Sequence, residues 1–303
     1  MLKAQSCVLN TQEKKSNEKE PEMDIGSMEN HRERENGSLV YPVYSRRSGG
    51  LSVGINLYPN RKVCTFDCAY CEIFPFLSDN NFSLALMETD LLETLKEAKE
   101  QGIPVRDICF SGNGEPTQSP DFPAALDLAF RIRDKEAPGA EMVLITNGTG
   151  LVYESIFELL SGAANRSAGQ EGENSGLRIW LKLDAGTSAW YKVMSRSLIS
   201  HELLIESIRS FAKRAPITLQ TMICIVNEEA PSPVEAKAWE ALVCDISMSA
   251  MDLRAVQIYG KARPAPEDPL ATALPVEFLE ARAESLRAVL ASAGKDVPVR
   301  VYP

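Results

Sequence analysis

Cys64, Cys68 and Cys71 fall in one short segment, CTFDCAYC, with three and then two residues between them. Thiolates at such spacing converge on a metal. A structural zinc ion takes four protein ligands, and the segment offers three. The chain has only His31 and His201 to add, and Cys109, Cys224 and Cys244 sit in apolar patterns where a cysteine packs as a small hydrophobe. Seven cysteines is an odd number, and the start MLKAQSCVLN has no signal-peptide pattern, so a disulfide framework is the weaker account. Three thiolates on one tight loop suit a [4Fe–4S] cluster in which the fourth iron lacks a protein ligand and can bind a small molecule. A zinc-stabilised binding module is the rival reading of the same residues.

The elements that must carry this loop follow from apolar periodicity. Short runs rich in β-branched or aromatic residues occur at 51–57, 106–112, 142–148, 178–185, 217–226 and 253–260 and predict strands. Helical patterns lie between them. Leu91, Leu92, Leu95 and Ala98 share a face ended by Gly102, Ser119-Pro120 has the form of a helix start, and 200–214, 233–248 and 275–293 are similar. Mostly apolar strands alternating with helices imply a parallel sheet covered by helices, with any ligand at the carboxyl ends of the strands. Those ends read Gly112-Asn113-Gly114-Glu115, Thr146-Asn147-Gly148, Asp184 and Gln257-Ile258-Tyr259-Gly260. They are polar or glycine-rich, as a binding rim requires.

Two stretches fall outside this pattern. Residues 1–40 are dense in both charge signs and predict a disordered tail ahead of a folded domain at 41–303, with Met23 and Met28 as alternative starts. The segment 161–176 has the composition of a surface loop. The net charge is −10 and the tail carries 6 basic and 8 acidic residues, so the folded part is acidic too. That disfavours a broad phosphate-covering surface. No run is apolar and long enough to span a membrane, and the expected location is the cytoplasm.

The spacing CxxxCxxC, with Tyr70 directly before the last cysteine, resembles the radical S-adenosylmethionine (SAM) enzymes. The resemblance runs from about Ser45 to Pro264 and implies a partial (β/α)6 TIM-type barrel of parallel strands. It also implies one [4Fe–4S] cluster on Cys64, Cys68 and Cys71, whose open iron chelates SAM. Ser111-Gly112-Asn113-Gly114-Glu115 looks like the family's Gly-Gly-Glu motif, with Asn113 inserted between the glycines, and its backbone and the Glu115 carboxylate would receive the SAM ammonium. Asp184 matches a residue that holds the ribose hydroxyls; its other reading is an N-cap for a helix starting near Thr187. Asn147 is a second candidate of that kind, though Thr-Asn-Gly is also a common turn. Tyr70 would lie against the adenine. The first half is most similar to the branch containing the tRNA wyosine-base synthetases.

The resulting expectation is an enzyme that cleaves SAM reductively to a 5′-deoxyadenosyl radical and acts on an unidentified substrate, a small molecule ahead of a tRNA, with an external electron donor. No catalytic acid–base pair stands out. Arg46, Arg47, Arg61, Lys62, Lys261 and Arg263 could form a local basic rim, and 257–264 is the expected place of substrate contact. The reading from a different class is a non-catalytic iron–sulfur sensor or electron carrier, which would normally ligate all four irons.

Overall fold

Among the described residues, eight strands form a single sheet in the order β1 to β8: Val40–Ser45, Gly50–Ile55, Val105–Phe110, Glu141–Thr146, Leu177–Lys182, Ile217–Met222, Leu253–Tyr259 and Val299–Tyr302. The computed structural model describes residues 39–73, 81–166, 176–266, 268 and 270–303. Only β1 and β2 pair antiparallel; every later neighbour is parallel. The parallel strands curl into the half-barrel expected from sequence.

The six predicted strands are β2 to β7, and the sequence reading missed the two ends. β1 contains Pro42 and sits at the edge of the sheet, where a missing N–H is tolerated. It packs by laying the Tyr41 ring across Gly54, and the Tyr41 hydroxyl meets Ser111 Oγ at 2.7 Å. β8 is four residues long and follows Pro298. Leu39 and Val40 are buried, so the ordered domain includes residues assigned to the tail; 1–38 lie outside the described residues.

Among the described residues, seven helices cover the sheet: α1 Leu84–Glu100, α2 Phe122–Glu136, α3 Glu154–Ala164, α4 Ser188–Met194, α5 His201–Ala212, α6 Pro233–Ser249 and α7 Val276–Ser292. α2 begins later than Ser119-Pro120 suggests. Glu115 first caps a short 3₁₀ turn at Pro116–Gln118, accepting from the Thr117 N–H, and the Ser119 hydroxyl accepts from the Asp121 N–H at 3.3 Å. α3 runs through Ala164 into the predicted surface loop, of which 167–175 lie outside the described residues.

Period-2 alternation explains how an apolar-looking sheet encloses a polar interior. In β5, Ile179 and Leu181 join the main core under the helices, whereas Trp180 joins Cys109 and Val143 on the opposite face. Lys182 continues the Trp180 face, and Gln220 and Gln257 hydrogen-bond to each other at 2.7 Å on β6 and β7.

Candidate functional site

The cysteine loop leaves β2 at the carboxyl end of the sheet and is docked by its main chain. Val63 forms a parallel bridge with Gly114, and the Glu115 N–H donates to the Val63 carbonyl at 2.8 Å. Further along, the N–H groups of Asp67 and Ala69 donate to the Ser195 and Met194 carbonyls at the end of α4, at 2.8 and 3.0 Å. Phe66 is buried edge-on against Tyr191 at 5.8 Å. Held this way, Cys64, Cys68 and Cys71 all line one cavity of about 1030 Å³. Burial, with the Glu115 charge behind it, pushes the Cys64 thiol up to about 11, and burial pushes Cys68 higher still. Thiolates at this place need positive charge beside them, which a cationic cluster supplies. Among the described residues, no three His, Cys, Asp or Glu side chains gather tightly enough for one metal ion. The loop thus presents three free soft donors to one cavity.

The glycines of the 112–115 turn serve this docking. A Cβ on Gly114 would stand 2.0 Å from the Val63 carbonyl oxygen, and one on Gly112, whose φ is +128°, would stand 2.6 Å from Asn56 Oδ1. Asn113 donates from its side chain to the Tyr58 and Pro59 carbonyls at 3.0 and 3.4 Å, and its N–H donates to Asn56 Oδ1 at 3.2 Å. The inserted asparagine therefore ties down the chain leading to the cysteines.

Glu115 lines the cavity but is only 2% exposed, and both carboxylate oxygens are occupied. Oε1 accepts from the Thr117 N–H and from the Thr117 and Thr146 hydroxyls, and Oε2 accepts from the Asn147 N–H at 2.7 Å. Burial raises its pKa, against these hydrogen bonds. The expected free acceptor for an ammonium is instead a brace between the ends of β3 and β4. Asn147 is a second brace: its amide donates to Thr65 Oγ1 at 3.0 Å and to Cys64 Sγ at 3.6 Å, while its Oδ1 accepts from Thr149.

Asp184 departs furthest from expectation. It does not line the large cavity; one oxygen accepts from the Met222 N–H at 2.8 Å and the other from the Tyr70 hydroxyl. Nor does it cap the next helix, since Thr187 caps α4 by accepting from the Trp190 N–H. Each oxygen of the carboxylate assigned to ribose thus already accepts from one donor of the fold. Tyr70 does line the cavity, with its hydroxyl fixed by Asp184 and by Lys182 Nζ at 2.7 Å.

Residues 62–169 match the family model described as "Radical SAM superfamily". This stretch of the chain is similar to the radical SAM superfamily. The matched span contains the three cysteines, the 112–115 turn and Asn147. A "UPF0026 protein" of Helicobacter pylori strain J99 is 31% identical over 123 residues, 40% of this chain and 38% of that protein; its counterpart in strain 26695 is 30% identical over the same shares. The match thus spans well under half the length of these relatives. Among solved structures, the fold is similar to a radical SAM methyltransferase from Sphaerobacter thermophilus (TM-score 0.59, 16% identity, 86% of this chain and 67% of that one). It is also similar to Streptococcus suis SuiB bound to S-adenosylmethionine (TM-score 0.59, 13% identity, 82% of this chain and 50% of that one). At these identities the likeness is one of fold.

One residue of the cavity wall had no role assigned from sequence. Lys182 donates to the Tyr70 and Tyr259 hydroxyls at 2.7 and 2.6 Å and lies 3.8 Å from Asp184. Burial works against its charge, but Asp184, Tyr259 and Cys68 outweigh it and hold the ammonium protonated. The alternation of Trp180 and Lys182 in RIWLK was the available signal. Of the predicted basic rim, Arg46, Arg47, Lys62 and Arg263 line the cavity, and Arg61 and Lys261 do not. Arg263 pairs with Glu72 at 2.6 Å, joining the end of β7 to the residue after Cys71. Of 257–264, Tyr259, Gly260, Ala262 and Arg263 reach the wall, while Gln257 is buried in the barrel. Among the described residues, no helix is long and apolar enough to cross a membrane.

Proposed function

We propose that this protein is a radical SAM enzyme that holds one [4Fe–4S] cluster through Cys64, Cys68 and Cys71 and binds SAM in the adjoining cavity. The observation that carries this reading is the placement of three thiols from one loop on the wall of a single large cavity at the carboxyl end of a half-barrel. The donor set fits the cluster, because three thiolates leave one iron open to SAM. When bound, the reduced cluster would supply the electron that cleaves SAM and yields a 5′-deoxyadenosyl radical.

The chain's own residues position and enclose. The Glu115 and Asn147 braces fix the cysteine loop to the ends of β3 and β4. Tyr70, locked by Asp184 and Lys182, offers a rigid aromatic wall beside the third cysteine. The radical chemistry needs a closed, oriented pocket more than an acid–base pair, consistent with carboxylates that are already hydrogen-bonded. An external electron donor and an unidentified substrate complete the reading. Anaerobic reconstitution followed by dithionite and SAM tests it: release of 5′-deoxyadenosine is expected, and its absence from protein carrying a full cluster would favour the electron-carrier reading instead.

A further inference from the structure

The charged wall of the cavity opposes the charge of the protein around it. In a chain of net charge −10, the lining among the described residues holds Arg46, Arg47, Lys62, Lys182 and Arg263 against Glu72 and Glu115. Both acids are engaged: Glu72 pairs with Arg263, and Glu115 is 2% exposed and accepts from four donors of the fold. The cations are also tied down, with one exception. Lys62 pairs with Asp67 at 3.8 Å, Arg46 donates to the Pro303 carbonyl, and Lys182 is held by two tyrosines and Asp184.

Arg47 is held differently. Its guanidinium lies 5.7 Å from the centre of the Trp180 ring and 5.3 Å from that of Tyr259, and it has no hydrogen bond or ion pair among the described residues. Aromatic contact fixes the plane of a guanidinium while leaving its N–H edge unspent. Asp107, whose charge acts on Arg47, is 2% exposed, hydrogen-bonded to Ser52, and absent from the cavity wall.

The position is equally specific. Arg47 comes from the turn between β1 and β2, at the amino end of the parallel strands, whereas the cysteine loop follows β2 at their carboxyl end. Trp180 precedes Lys182 by two residues on the same face of β5, so the guanidinium sits deeper than the Lys182 ammonium. The cavity of about 1030 Å³ stands at the upper end of the ligand-cavity range and runs from the cysteine loop to Arg47.

We propose that Arg47 anchors the anionic group, carboxylate or phosphate, of a small-molecule substrate on the floor of the cavity, with the reacting carbon held above it toward the cysteine loop. This rests on the radical SAM reading given above. Charge-assisted hydrogen bonds from the planar edge supply the affinity and the orientation.

The test uses anaerobically reconstituted protein, titrated separately with inorganic phosphate and with succinate at constant ionic strength, first without SAM and then with saturating SAM. Tryptophan emission reports on the site because Trp180 touches the guanidinium. The expected result is a saturable change with one or both probes, showing which anion chemistry is accepted. Affinity should fall about ten- to hundredfold in Arg47→Met and less in Arg47→Lys. No saturable change with either probe, equal affinity in Arg47→Met, or displacement of the probe by SAM would each overturn the anchor. The SAM arm uses the native chain, so it decides the matter even if a variant does not fold. Release of 5′-deoxyadenosine without anion binding overturns the anchor alone. Anion binding without SAM cleavage supports the anion site and overturns the enzyme reading.

Discussion

Gly114→Ala puts the docking of the cysteine loop to a quantitative test. The new Cβ would lie 2.0 Å from the Val63 carbonyl oxygen, 2.8 Å from its carbon and 3.0 Å from Tyr58 Cδ2, whereas ordinary contact begins at 3.4 Å. Two of these atoms are backbone, so no rotamer change relieves the clash; the loop must retreat by ~1.4 Å or the end of β3 must bend. Retreat breaks the bond from the Glu115 N–H to Val63, worth about 1 kcal/mol. Forced repacking adds about 1–3 kcal/mol. A loss of about 2–4 kcal/mol in urea unfolding is expected, and because Cys64 follows Val63 directly, iron per chain after anaerobic reconstitution should fall well below that of wild type. Gly162→Ala is the control: it lies in α3 with nothing within 4 Å of the added methyl, and it should gain about 0.5–1 kcal/mol with full iron. Wild-type iron and a wild-type midpoint in Gly114→Ala would refute the docking argument.

Four further outcomes are expected. Alanine at Cys64, Cys68 or Cys71 should abolish iron and sulfide retention, whereas Cys109→Ala, on β3 in the barrel interior, should keep both; equal content in all four variants would remove the ligand assignment. Glu115→Gln places an amide among four donors and should cost about 1–3 kcal/mol in urea unfolding, so a neutral result would show that the brace is not under load. Asn147→Ala should lower iron retention along with SAM binding, because its amide holds Thr65 and Cys64; lost SAM affinity with full iron would instead make it a direct contact. His201 has its pKa lowered from 6.5 by burial, so the unfolded chain binds more protons as pH falls. Its contribution is present above pH 6.5 and lost as pH drops through the folded value, and the thermal midpoint of wild type should fall more than that of His201→Gln between pH 7.5 and 5.5.

The sequence made six of the strands legible because their outward faces, such as Ile179 and Leu181, are apolar and bounded by turn residues. β1 was hidden by its internal Pro42, although its partner β2 follows directly in the chain, and β8 by its four residues, the proline before it and a partner some way back in the chain. The cysteines were legible as one group because their close spacing puts them on one loop. Arg47 and Tyr259 were legible as parts of a rim but not as partners, and Lys182 was not legible, since their contacts arise only when β5, β7 and the turn before β2 meet in space. Asp184 and Glu115 show the complementary difficulty. A carboxylate at a strand end reads the same in sequence whether it faces a ligand or two N–H groups of its own fold.

The polar residues after β3 and β4 have a common task that explains their types. The cysteine loop anchors itself in part by burying Phe66, Ala69 and Tyr70, while its thiols face the cavity. The rest of its placement comes from directed bonds, which Asn147, Asn113 and the main chain at Gly114 and Glu115 provide. Buried hydrogen-bonded networks are costly when one member is missing, because the partner left behind keeps its desolvation penalty. The same costliness makes the loop position precise. Side chains spent on that position are not free to select a substrate, and selection then falls to the opposite end of the cavity, where Arg47 is held by aromatic rings and keeps its hydrogen-bonding edge open.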